Sequence, residues 1–95
     1  MNINTKKEER LLATHLSNNK DFAVACQTGD ANLIRTIVEA EMNKANLHTK
    51  GSNNLRDDIF RMLQDKIKVS TYIGNNVLAF VWNARLSGTG LAVVK

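Results

Sequence analysis

The sequence predicts an α+β domain of about four N-terminal helices followed by a three-stranded antiparallel β-meander. Three observations predict it. Apolar residues recur at three- and four-residue spacing as far as Lys66, the spacing then switches to alternation, and Gly/Asn clusters punctuate the alternating part. Helices gathered before strands, rather than interleaved with them, give α+β and not α/β.

Thr5-Lys6-Lys7-Glu8 has the capping-box spacing, in which a hydroxyl and a carboxylate three residues apart satisfy free N–H groups at a helix start. A first helix is expected from about Lys6 to Leu16, with Leu11, Leu12 and Leu16 inward and Ser17-Asn18-Asn19 closing it. A short second helix, Lys20 to Gln27, buries Phe22, Ala23, Ala25 and Cys26. Gly29-Asp30 supplies a left-handed C-cap and then an N-cap, which predicts a tight helical hairpin. In the third helix, Ala31 to Asn46, the inward stripe is Leu33, Ile34, Ile37, Val38, Met42 and Ala45, and Arg35, Glu39, Glu41 and Lys44 fall outside it. After a loop at 48–53, Asn54 caps a fourth helix that presents Leu55, Ile59, Phe60, Met62, Leu63 and Ile67 and ends near Lys66.

Beyond Lys66, Ile67, Val69, Thr71 and Ile73 alternate with Lys68, Ser70 and Tyr72. Leu78, Phe80, Trp82, Ala84 and Leu86 alternate in the same way after Gly74-Asn75-Asn76. A two-residue turn at Asn75-Asn76 pairs Ile73 with Leu78, Thr71 with Phe80 and Val69 with Trp82, so that the large apolar side chains share one face. Ser87-Gly88-Thr89-Gly90 then turns the chain into a last strand, Leu91 to Val94. The competing reading is all-α with a fifth helix at 76–86, because Leu78, Val81, Trp82 and Arg85 also obey helical spacing.

At 95 residues the chain suits one domain, able to bury roughly two thirds of its unfolded surface. Its 43% apolar and 23% charged residues lie near the globular average, away from the composition of disordered chains. One cysteine allows no internal disulfide, and the charged N-terminus and the lack of a long apolar run point away from export and membranes, so a cytoplasmic protein is expected. The net charge of +4 is unevenly spread. Met1 to Asp65 holds nine basic and nine acidic residues, whereas Lys66 to Lys95 holds four basic and no acidic ones. Twelve asparagines and no proline suit an AT-rich genome such as that of a phage or a low-GC bacterium.

No catalytic, metal or cofactor signature stands out. His15, Cys26 and His48 lack the paired spacing of zinc ligands, and Cys26 falls on a buried helix face where thiols are inert. Asp57-Asp58 sit in a helical first turn, which favours negative charge, and Glu39 and Glu41 read as a solvated edge. Gly88-Thr89-Gly90 lacks the Lys-Ser/Thr of a phosphate loop. A helix-turn-helix centred on Gly29 would present Asp30, Glu39 and Glu41 to phosphate, which disfavours it.

The expected function is a non-catalytic protein-interaction module, a small adaptor or inhibitor of phage or mobile-element type, binding another protein or itself and needing no cofactor, metal or membrane. In the hairpin register its contact face carries Val81, Val94, Lys68, Tyr72 and Arg85, mixing aliphatic with basic groups. The alternative is RNA or single-stranded DNA held by Lys66, Lys68, Tyr72 and Arg85 through phosphate contact and stacking.

Overall fold

Short polar side chains at the turns set where helices begin. In a computed structural model that describes residues 3–47 and 53–86, with side chains from Lys7 onward, the elements are α1 (Ile3–Ser17), α2 (Lys20–Thr28), α3 (Ala31–Lys44), α4 (Asn54–Leu63) and α5 (Thr71–Leu86). Asn19 caps α2 by accepting from the Phe22 N–H at 3.1 Å, and Asp30 caps α3 by accepting from the Leu33 N–H at 3.1 Å. Asn53, one residue earlier than expected, caps α4 by accepting from the N–H groups of Leu55 and Arg56. Each such cap satisfies donors that the helix itself leaves free.

Gly29 ends α2 in the left-handed conformation, φ 74°, and its N–H returns to the Cys26 carbonyl while the Asp30 N–H returns to Ala25. A side chain at Gly29 would also strike the Val69 carbonyl, 2.2 Å from the position of its Cβ. That closeness reflects the α4–α5 linker, which lies extended along the α2–α3 turn. The Ala31 N–H donates to the Ile67 carbonyl (2.9 Å), the Val69 N–H donates to Gly29 (2.8 Å), and Asp30 and Lys68 form an isolated antiparallel bridge. Arg35 donates to the Lys66 carbonyl at 2.9 Å and fixes the linker from the other side.

The core draws on all five helices: Leu12 and Leu16 from α1, Phe22 and Cys26 from α2, Ile34, Val38 and Met42 from α3, Ile59 and Leu63 from α4, Val77 and Val81 from α5. Burying each large aliphatic or aromatic side chain contributes about 1.5–3 kcal/mol, which offsets the ordering of the short helices. Helix α5 packs chiefly between α1 and α2 and more lightly on α4.

The α+β expectation is overturned, and the all-α alternative fits: the described residues are helical with no strand, and the expected hairpin is helix α5. The reason is that α5 carries large apolar side chains outward as well as inward, so its sequence satisfies both periods. The expected turn residue Gly74 is instead a buried helical position where α5 touches the Cys26 carbonyl of α2. What resembled a turn signal was a close-approach signal. Val81, placed on the outer sheet face by the hairpin, is 2% exposed, whereas Phe80 and Trp82, placed in the core, lie outward. Of the expected first strand only Lys68 pairs in strand fashion, in its single bridge with Asp30; Ser70 then caps α5, its hydroxyl accepting from the Ile73 N–H. Helix α1 begins at Ile3, so Thr5 and Glu8 lie within it and are not a cap. Helix α4 stops at Leu63, before Lys66, because Gln64 and Asp65 are both left-handed. The expected last strand, with Val94, lies outside the described residues.

Candidate functional site

Two surface features stand out, one uncharged and aromatic, the other polar. The first is the outward face of α5. Tyr72, Asn76, Ala79 and Asn83 follow one another at helical spacing along it, and Phe80 and Trp82 flank the row on either side. Tyr72 is 74% and Trp82 51% exposed, so three of the chain's five aromatic residues meet solvent on this one helix. From Thr71 to Ala84 there is no charged residue, where an ordinary solvent-facing helix would alternate acids and bases. Beside Trp82, the Arg85 guanidinium lies 4.8 Å from the ring centroid, a cation–π contact that holds both side chains against the helix.

An apolar groove of about 330 Å³ runs along the same flank, lined by Leu16, Ser17, Phe22, Ala23, Leu78 and Trp82 among others. It forms because α1 ends and α2 restarts within two residues, leaving a notch over which α5 passes. The Ser17 hydroxyl is buried there without a hydrogen-bond partner among the described residues.

The polar feature centres on Glu41, 5% exposed on α3. One carboxylate oxygen accepts from Asn19 Nδ2 at 2.6 Å, the other faces His15 Nδ1 at 3.2 Å, and Lys44 Nζ lies at 3.5 Å. With Leu11, Thr14 and Asn18 these residues line an open cleft of about 460 Å³. Burial works to raise the Glu41 pKa, but the hydrogen bonds from Asn19 and His15 and the charges of Lys44 and His15 outweigh it and hold the carboxyl below its ordinary value. The expected reading of Glu41 as a solvated edge is therefore corrected. Its position was legible, because residue 41 stands three after Val38 and four after Ile37, inside the apolar stripe. Since Asn19 also caps α2, the cluster ties α1, the α1–α2 turn and α3 together.

A carboxylate whose folded pKa is depressed contributes stability that is fully present above its unfolded value, roughly 4.3, and lost as pH falls through the folded value. Glu41→Gln is expected to lower stability at pH 7 by about 2 kcal/mol, the scale of hydrogen bonds to a charged group. In urea unfolding the gap between wild type and variant should narrow from pH 7 to pH 3; a gap independent of pH would contradict this.

The structure divides the other sequence candidates. Lys66, Lys68 and Tyr72 are exposed around the start of α5, whereas Arg85 lies at its far end, roughly 20 Å away at the helical rise of about 1.5 Å per residue. Val81 belongs to the core, and Val94 and His48 fall outside the described residues. Cys26 is fully buried, and burial pushes its thiol up to about 12, which keeps it protonated at neutral pH. Asp58 pairs with Arg61 at 2.6 Å and Asp57 with Arg56 at 3.0 Å, so both acids serve the surface of α4. No group of three or more His, Cys, Asp or Glu side chains among the described residues is placed to hold a metal ion, and no helix among them is long and apolar enough to cross a membrane. Sequence reasoning missed Phe80 and Trp82 as surface residues, having assigned both to the core face of a hairpin. The signal was the uncharged run itself, read at the helical period.

No protein-family model and no solved structure matches the chain. Over 69 residues it is 38% identical to a protein of Sulfurisphaera tokodaii named bifunctional sugar-1-phosphate nucleotidylyltransferase/acetyltransferase. The match takes in 73% of this chain but spans only 17% of that relative's length, so the likeness concerns a segment of the larger protein.

Proposed function

We propose that the chain is a non-catalytic protein-interaction module, of the adaptor or inhibitor class, whose contact surface is the outward face of α5 with its flanking groove. The observation that carries this reading is the run from Thr71 to Ala84, solvent-facing on one side, aromatic and free of charge. Depletion of charge together with enrichment in Tyr, Trp, Phe and Arg marks the centres of protein interfaces, and Trp, Tyr and Arg dominate their energetics. Trp82 braced by Arg85 is a preordered anchor, because little side-chain freedom remains to be lost on docking. The groove offers a socket for one apolar side chain.

Nucleic-acid binding is less well supported by the geometry. Arg85 is remote from Lys66 and Lys68, and carboxylates share the lysines' patch: Asp65 precedes Lys66, and Asp30 stands opposite Lys68 in the bridge. Such neighbours oppose phosphate contact. The two transferase activities in the relative's name belong to a protein of which this chain spans a small part, and neither is proposed here.

The test places the photo-crosslinking residue p-benzoylphenylalanine at Asn76, Asn83 or, as a control on α3, Asn43, in cells that produce the chain. Asn43 is also solvent-exposed but lies on α3. Protein adducts should form several-fold more at Asn76 and Asn83 than at Asn43. Equal yields at the three positions, or adducts with nucleic acid alone, would overturn the proposal.

A further inference from the structure

We infer that the partner of this surface is a second copy of the chain, docked through α5 about a two-fold axis; the inference rests on the reading of the α5 outward face as a contact surface. A two-fold interface must be complementary to itself, since each residue meets the same patch on its partner. The row on α5 has this property. Tyr72 and Leu86 lie seven residues either side of Ala79, and Asn76 and Asn83 lie three and four residues either side of it.

Two such helices laid antiparallel, with Ala79 at the crossing, put the smallest side chain of the row where the backbones come closest. Each Asn76 then faces the partner's Asn83. A carboxamide carries both donors and an acceptor, so an Asn pair satisfies itself without any charge. Each Tyr72 lies over the partner's Leu86, and the two helix dipoles run in opposite directions.

Charge decides between a copy and a foreign chain. Near a two-fold axis a charged side chain meets its own like, so a self-pairing helix must be uncharged around its centre. Helix α5 is uncharged from Thr71 to Ala84. Its one charge, Arg85, is six residues from the crossing, which leaves the two copies of it roughly 18 Å apart along the axis. That exceeds the screening length of about 8 Å at physiological salt. A foreign partner selected by charge would find nothing on this row to recognise.

The 16-residue helix is about 24 Å long. One helix crossing buries less than the roughly 800 Å² per partner of a standard interface, so the dimer should be weak, with a dissociation constant in the micromolar range, about 10–100 µM.

Sedimentation equilibrium of the full chain from about 5 to 500 µM, a range spanning that constant, tests the inference. Wild type should move from the monomer mass towards twice that value, and its association should be insensitive to salt. Ala79→Glu and Ala79→Lys, both at a solvent-exposed position, should each remain monomeric with unchanged helical circular dichroism. An equimolar mixture of the two should associate more than either alone, because opposite charges then meet at the crossing. Wild type that stays monomeric overturns the self-pairing while leaving the α5 contact reading to the Asn76 and Asn83 crosslinks, where an adduct with a different protein would uphold it. Dimers that Ala79→Glu leaves intact, or a mixture no more associated than its components, also overturn it.

Discussion

Replacing Gly74 by alanine will destabilise the protein, although alanine is favoured over glycine inside a helix by about 1 kcal/mol. A Cβ built at Gly74 falls 1.8 Å from the Cys26 carbonyl oxygen and 2.8 Å from its carbon, both backbone atoms of α2 that no rotamer change can move aside. To accept a methyl group, α5 must retreat from α2 by more than an ångström, which loosens Val77 and Val81 in the core. Overpacking of this kind costs about 1–3 kcal/mol, and more where backbone is the obstacle. The net loss should be about 2–3 kcal/mol, read as a lower urea midpoint with an unchanged slope. A midpoint raised by the alanine would mean that α5 does not cross α2 at this residue.

Val81→Asp and Ala79→Asp should differ by more than any other pair of neighbouring substitutions. Val81 packs in the core, and an aspartate there is a buried charge without a partner; a loss of about 4–5 kcal/mol or more is expected, close to the whole stability of a domain at the lower end of the usual range of about 5–15 kcal/mol. Ala79 faces solvent, and the same change there should stay within about 1 kcal/mol while removing association. A β-strand would place positions 79 and 81 on one face and make the two substitutions alike. Circular dichroism with urea titration of both variants separates the cases, since similar midpoints for the two would refute the helix.

The contrast between positions 79 and 81 also shows where sequence reasoning stopped. Helices α2 and α3 were legible because the chemistry that bounds them is local: Gly29 tolerates the left-handed turn, Asp30 caps, and the stripe from Ile34 to Met42 is amphipathic. Helix α4 was found for the same reason, with its cap displaced by one residue to Asn53. Helix α5 resisted because large aromatic side chains point outward beside an uncharged row, so no charged face marks its period. Residue patterns report burial, and a surface that carries aromatic side chains and no charge weakens that report. Gly74 had its reason in a contact with Cys26, far away in sequence, and local turn preferences do not register such a contact. The polar cluster was half legible. Glu41 interrupts an apolar stripe, but its partners His15 and Asn19 come from other elements and are seen only once the helices pack.

The difficulty and the proposed function have a common origin. A helix that confuses the amphipathic pattern by carrying Tyr72, Phe80 and Trp82 outward is one whose outer face is itself suited to burial. Both the contact surface and its pairing with a second copy depend on the chain from Thr71 to Leu86 being one continuous helix.

The most direct test of that claim is the set of backbone Cα chemical shifts from Ile67 to Leu86, measured by NMR on the full chain. Uninterrupted helical displacements from Thr71 to Leu86 are the predicted result. Extended values on both sides of a break at Gly74 to Asn76 would restore the hairpin and contradict the account.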